Sequence, residues 1–426
     1  MIRHGVIIAS ISLSPSAKYT AWFLGILGLL FQMTIQLSSG SMVDGLTATF
    51  HLSAARAGFL AGAYYPIYCL LQIPAGLLID RFGARNILVL GLTLAAWSMM
   101  FFSNAPSFGW AIFARLLAGV GLSCCFVALM DLIGHCFKAS HFAWMFGLSE
   151  TLVIAAVIAL ELILPDAVDR LSWQIVSRML GLGLAILAAA IAIGMHDIHE
   201  TQSSVNPSGT LCSLVLRELL GYIKDPMILG YGLLGGGIFS LVTVFEGLWA
   251  QPFYIHGWHR GIMEASQLNA LLLAGVGVGA PLMGYLGQFK RYLYLNTVGL
   301  SILVWVLFTS LIHWGDGFSS IGLQTFLFML GLTVSSYVWC YMIATEQASD
   351  DHYATANGFM NTLVVIPIPL IQPLIGRMLD ASHHLPAHER YIQALMQFDF
   401  ILAGMFILGW ILIGYALYQN SSTQAY

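Results

Sequence analysis

Long apolar stretches alternate with short polar ones along almost the whole chain. Since roughly 20 mainly apolar residues cross a bilayer as one helix, the pattern predicts crossings at Tyr19–Val43, Ala57–Ile79, Ile87–Phe102, Phe108–Gly134, Phe142–Leu164 and Trp173–Gly194. After them comes a polar segment, His196 to Asp225, whose Ser, Asn, Pro and Gly content around Thr201–Gly209 is that of a linker. A second set follows at Met227–Ala250, Ala265–Gln288, Leu293–His313, Phe318–Thr345, Ala354–Met378 and Ala394–Leu417. The stretches are continuously apolar and not alternating, which favours helices over a barrel. The expected fold is all-α and polytopic, twelve transmembrane helices in two six-helix bundles, residues 1–195 and 226–426, joined by a linker at 196–225. Met1 to Ser14 read as a retained, weakly basic N-terminal tail.

Composition narrows the class. With 58% hydrophobic and 8% charged residues, against about 25% charged in soluble domains, the chain is expected to have the lipid bilayer as its main partner. A net charge of −4 gives no footprint for nucleic acid. Cysteines 69, 124, 125, 136, 212 and 340 fall mostly within apolar stretches without paired spacing and read as packing residues. The loop His383-His384-Leu385-Pro386-Ala387-His388 lacks the cysteine or acid that would complete a metal set, so no metal is expected. Neither a phosphate-cradling glycine loop nor H-E-x-x-H nor G-x-S-x-G occurs, so no cofactor and no enzymatic activity are expected.

One polar turn stands out, Gly76-Leu77-Leu78-Ile79-Asp80-Arg81-Phe82-Gly83-Ala84-Arg85-Asn86. A need for polarity between two crossings accounts for its arginines but not for glycines at two fixed places or an acid before the first arginine. The ungapped pattern G-x-L-x-D-R-x-G-x-R resembles the signature loop between the second and third helices of the major facilitator superfamily. Arg115-Leu116-Leu117-Ala118-Gly119-Val120-Gly121 in the fourth crossing resembles that superfamily's second signature. The resemblance implies two bundles around a central site that is exposed to either side in turn. It also implies that Asp80 faces the start of a helix in the other half while Arg81 and Arg85 join a charge network that closes the inner gate. Gly76, lacking a side chain, would let another helix pass close by. Arg115 is often linked to proton coupling in relatives; as residues alone, a structural arginine pairing with a neighbour reads equally well.

Ionisable side chains inside crossings mark candidate sites. Counted along the helices, Arg115, Glu161, Arg178 and Glu246 fall at similar depth in the outer half, an outer cluster in which the acids could neutralise the arginines. Glu150 lies near the middle of the fifth crossing with no basic residue at its depth, a candidate for binding a proton or a substrate amine, or else a neutral acid bonded to a neighbouring helix. Asp131 and Glu346 read as gate residues, Asp44 and Asp399 as helix ends. Gln32, Gln36, Asn269, Gln324, Tyr337, Asn357 and Asn361 could line a cavity or bridge helices.

The halves echo each other. Glu150-Thr151-Leu152-Val153-Ile154 corresponds to Asn361-Thr362-Leu363-Val364-Val365, and Gly284-Tyr285-Leu286 with Lys290-Arg291 reads as a worn copy of the first-half turn that has lost its acid. The distribution of Lys and Arg predicts both termini in the cytoplasm, and the expected location is the plasma membrane, or the inner membrane of a bacterium. Together these features predict a monomeric secondary transporter for a small polar or zwitterionic organic solute, coupled to protons. The alternative is a drug or siderophore exporter working by proton exchange. The fifth crossing has Gly147-Leu148-Ser149-Glu150 in place of the glycine-proline motif of the superfamily's drug antiporters, which lowers that alternative.

Overall fold

The computed structural model describes residues 14–52, 56, 59–60, 62–195, 220–287, 289, 293–347, 353–382 and 384–424. Twelve long helices are found among them. The first six are α1 (Pro15–Ser41), α2 (Tyr64–Phe82), α3 (Ala84–Ser103), α4 (Phe108–Cys136), α5 (Phe142–Leu171) and α6 (Trp173–Gly194). The second six are α7 (Pro226–Gly257), α8 (Ile262–Leu286), α9 (Leu293–Trp314), α10 (Ser320–Gln347), α11 (Tyr353–Ala381) and α12 (Ala387–Gln424). Eleven are long and apolar enough to cross a membrane. The remaining one, α2, has a comparable length, but Tyr64, Tyr65, Tyr68, Gln72, Asp80 and Arg81 dilute its hydrophobicity. Most of the expected linker lies outside the described residues.

Local chemistry sets the ends. Asp225 caps α7 by accepting from the Met227 and Ile228 amides, with Pro226 at the first helical position. Gly83 turns the chain between α2 and α3 at φ 80°, a conformation glycine adopts without strain. Some helices exceed the lengths expected from apolarity. Near the end of α5, at Leu171, the exposed side chains of Arg170 and Asp166 pair at 2.8 Å. The start of α12 at Ala387 is fastened by His388, whose Nδ1 bonds the Gly257 carbonyl at 2.9 Å, and by Tyr391 packing on Phe253.

Burial sorts the helices into an inside and an outside. In α4, α10 and α7 between 72 and 83% of the apolar stretch is enclosed, whereas in α6, α9 and α12 the figure is 28–39%. The outer helices carry exposed apolar side chains such as Ile186, Ile193, Leu295 and Phe400, as a lipid-facing surface requires. Three central helices depart from regular geometry. Leu241–Trp249 of α7 is π-helical, Ser335–Tyr337 of α10 is a 3₁₀ turn, and α11 is interrupted at Ile366, before Pro367. Such irregular turns free backbone groups and redirect side chains near functional regions. One sequence expectation is corrected here: Asp399 is not at a helix end. It lies well inside α12, 8% exposed, accepting the Thr309 hydroxyl at 3.1 and 3.2 Å.

Candidate functional site: a sealed seam and an aromatic cage

The turn singled out in the sequence joins the two halves. Asp80, at the end of α2, accepts the Ala354 and Thr355 amides at 3.0 Å each and the Thr355 hydroxyl as well. These are the first amides of α11, which have no partner within their own helix, and a carboxylate there also meets the positive end of the helix dipole. Gly76 explains how α2 comes so near: a Cβ at that position would stand 2.6 Å from the Thr355 Cα and 2.7 Å from the Ala354 carbonyl oxygen. The arginines turn elsewhere. Arg85 donates to the Ala192 carbonyl at the end of α6, at 2.6 Å, and Arg81 lies over the Phe82 ring at 5.3 Å. Behind the seam, His135 packs on Tyr353 and pairs with Asp131 at 3.1 Å. Glu346 is exposed near the end of α10.

A second seam joins α5 to α8. Gly147 abuts the Ala280 carbonyl, Gly284 abuts that of Ala143, and the Thr151 hydroxyl donates to the Gly277 carbonyl at 2.6 Å. The described hydrogen bonds between the halves run from the Asp80 turn up to Thr362, whose hydroxyl reaches the Cys69 carbonyl at 3.4 Å. At 1.5 Å per helical residue, this sealed zone is roughly 12–16 Å deep.

At the top of the seal lies a cage built from both halves. The Tyr68 hydroxyl of α2 accepts from Gln32 of α1 at 3.1 Å and from Asn361 of α11 at 3.2 Å. Asn361 in turn accepts the Tyr341 hydroxyl at 2.7 Å. Beside it Tyr337 donates to Glu150 at 2.8 Å. Tyr64 stacks on Tyr68 with ring centres 5.3 Å apart, while Phe126 and Phe146 pack on Tyr341 at 5.0 and 5.2 Å. Glu150 is 7% exposed. The Gln32 Oε1, the Tyr64 hydroxyl and the Ser336 hydroxyl are buried without a hydrogen-bond partner, and the Gln72 side chain bonds Tyr68. Buried polar groups are normally satisfied, so a cluster of open donors and acceptors beside a carboxyl is a place where a polar molecule gains bonds. Arg115 adjoins the cage. It is 2% exposed, donates to the Ile35 carbonyl at 2.8 Å and lies 5.7 Å from the centre of the Tyr64 ring.

The other residues picked from sequence are placed apart from this group. Gln36 bonds Tyr65. Asn357 ties α11 to α10, donating to Thr345 Oγ1 at 2.9 Å. Gln324 is half-buried on α10, about 20 Å along the helix from Tyr337. Asn269 donates to the Glu246 carbonyl in the π-helical part of α7, at 3.1 Å. Arg178 is held by Asn104 at 2.9 Å and by Ser103. The side chain of Glu161 lies outside the described residues, as do Lys290 and Arg291. Sequence reasoning passed over Tyr64, Tyr68, Gln72 and Tyr341. A signal for the first three was present, since Tyr64, Tyr68 and Gln72 repeat every four residues and so share a face of α2.

Comparison with known proteins agrees with this architecture. A chloroplastic protein of Arabidopsis thaliana described as a probable anion transporter 6 is 24% identical over 364 residues, 78% of this chain and 68% of its own length. An uncharacterized MFS-type transporter of Bacillus subtilis, YceJ, is 26% identical over 57% of this chain and 61% of itself. The methylenomycin A resistance protein of the same bacterium is 24% identical over 46% of this chain and 42% of itself. The sequence profile of the Major Facilitator Superfamily matches residues 24–372. A multi-pass helical protein with this match, a buried polar cage between its halves and a sealing turn at Asp80 belongs to the Major Facilitator Superfamily of membrane transporters.

Proposed function

We propose that the chain moves a small polar or zwitterionic organic solute across the plasma membrane by alternating access, as a monomer with both termini cytoplasmic, and that a proton is the coupling ion. The observation that carries this reading is Glu150, a carboxyl enclosed within the membrane, held by Tyr337 from the other half and adjoining a cage of open polar groups. A carboxyl there can exchange a proton when the halves part and the Tyr337 bond breaks. With Arg115 beside Tyr64 on the other side of the cage, a solute presenting an amine toward Glu150 and a carboxylate toward Arg115 meets opposite charge at both ends.

The test is solute-driven proton movement into proteoliposomes carrying an internal pH dye, with amino acids, dipeptides, sugars and organic acids supplied in turn. A solute that acidifies the lumen with wild type and not with Glu150→Gln supports the reading. Uptake without any pH change in wild type overturns the coupling and returns Glu150 to a structural role. A second reading, export of a drug or siderophore in exchange for protons, draws on the likeness to a methylenomycin A resistance protein; it predicts efflux of chemically unrelated compounds.

A further inference from the structure

Away from the cage, on the outside of the molecule, α3 and α6 leave a groove between them. A cavity of about 460 Å³ is lined by Val89, Ala96, Trp97, Gly181, Ala185 and Ala192, among others. A second, of about 280 Å³, shares Trp97 and Met100 with it and continues to Asn104 and Trp110. The two therefore form one channel along the helices. Trp97 is 62% and Leu182 56% exposed, so the groove opens to the surface that faces lipid. Its larger part follows residues 89–100 and 181–192, a run of about 16 Å at 1.5 Å per residue, close to half of a hydrocarbon core of roughly 30 Å.

The mouth is cationic. Arg178 precedes Gly181 by about one turn of α6 and is exposed. Its Nη2 donates to Asn104 Oδ1 at 2.9 Å and its Nε to Ser103 Oγ at 3.4 Å, and no carboxylate among the described residues pairs with it. A guanidinium carries five N–H donors, so this one is fixed by two and offers three. It lies where α3 ends, and its partner Asn104 lines the same cavity as Trp110, an aromatic residue of the kind that gathers at the membrane–water boundary.

We propose that this groove binds an anionic glycerophospholipid, one acyl chain lying between α3 and α6 and the phosphate received by Arg178. The length and apolar walls suit one chain in one leaflet, and the charge at the mouth suits a phosphate, whereas a transmembrane helix of another protein would have to bring its own buried acid. The site is independent of the transported solute.

Native mass spectrometry of the full chain, delipidated and then given phosphatidylglycerol or phosphatidylcholine, tests the proposal. One basic residue near the membrane surface favours an anionic lipid by about fivefold in affinity. Wild type should show that preference for the first phosphatidylglycerol bound, Arg178→Gln should lose it, and Arg170→Gln, an exposed arginine paired with Asp166, should keep it. Ala185→Phe and Ala189→Phe, at exposed groove positions, should weaken the first lipid of either type. Equal binding of both lipids by wild type, or a preference that survives Arg178→Gln in a variant with unchanged thermal unfolding, overturns the proposal. So does a two-copy species that Ala185→Phe abolishes, which would make the groove a contact between two copies of this chain.

Discussion

Replacing Asp80 with asparagine tests the seam most directly. In the sealed form one carboxylate oxygen accepts the Ala354 amide and the other accepts both the amide and the hydroxyl of Thr355. Asparagine keeps one acceptor and turns an amide donor toward groups that are themselves donors. Two losses follow: the charge at a partly buried helix start, worth up to about 2 kcal/mol, and the acceptor of a buried amide, about 1–3 kcal/mol. They act on one contact and do not add fully. Taking about 2 kcal/mol as the net effect, the sealed population falls roughly 30-fold relative to forms open at this end. The assay is alkylation of a single cysteine at position 72, in a chain whose native cysteines are replaced, by an impermeant maleimide supplied from the Asp80 side. Gln72 is fully buried and its carbonyl lies against Gly358, so the reagent reaches it when the seam parts, at a rate proportional to the open population. Asp80→Asn should raise that rate by about 30-fold, and Thr355→Val, which removes only the hydroxyl, by about fivefold. A rate within about twofold of wild type in a folded Asp80→Asn protein refutes the reasoning, because the carboxylate would then contribute less than about 0.5 kcal/mol to closure.

Other predictions follow from single contacts. Gly147→Val places a side chain against the Ala280 carbonyl and the Pro281 Cα, so the α5–α8 seam cannot close; transport in proteoliposomes should fall at least tenfold, by about 1.4 kcal/mol or more of lost closure, and wild-type uptake would refute this. Tyr337→Phe removes the 2.8 Å bond to Glu150 at nearly constant volume; proton movement per solute should weaken about tenfold, and Tyr337→Phe behaving as wild type would free Glu150 of this partner's influence. Ser172, between α5 and α6, has φ 84° and ψ 151°, a region that glycine occupies far more easily. Ser172→Gly should therefore stabilise the protein by about 1 kcal/mol, measured by thermal unfolding in detergent, and a lowered midpoint would count against strain at this turn.

Legibility in the sequence depended on how local each signal was. The crossings could be counted because apolar length alone announces a spanning helix, and the second one was placed although its own site residues make it the least apolar of the twelve. Asp80 could be assigned a partner because its turn is a contiguous pattern. The cage was read only in part, since Tyr68 and Asn361 are 293 residues apart and no local pattern says that their faces meet. Helix phase alone likewise did not separate Asn361, which enters the cage, from Asn357, which ties two neighbouring helices together. Asp399 was misread as a helix end because the apolar stretch begins near it; the helix starts earlier, fastened by His388, a contact no spacing reveals.

The internal echo carries the argument further than it could in sequence. Gly76 on the start of α11 has its mate in Gly284 on the start of α5, and Gly358 against the Gln72 carbonyl has its mate in Gly147 against that of Ala280. Thr362 reaching the Cys69 carbonyl is repeated by Thr151 reaching that of Gly277. These shared contacts involve backbone, glycine and hydroxyl groups, and they do the same work on both sides, letting two helices meet closely. Two of the pairs that do not match are ionisable on one side only. Glu150 stands where its counterpart is Asn361, and Asp80 where the second-half copy of the turn has Gln288. A duplicated scaffold needs no charge difference merely to open and close, whereas a transporter that holds a proton or a charged solute needs a carboxyl that its symmetric partner lacks. Two such acids stand out: Asp80 on the first seam, engaged with the backbone of α11 as a latch would be, and Glu150 on α5, engaged with the side-chain hydroxyl of Tyr337, which is the arrangement the proposed proton coupling requires.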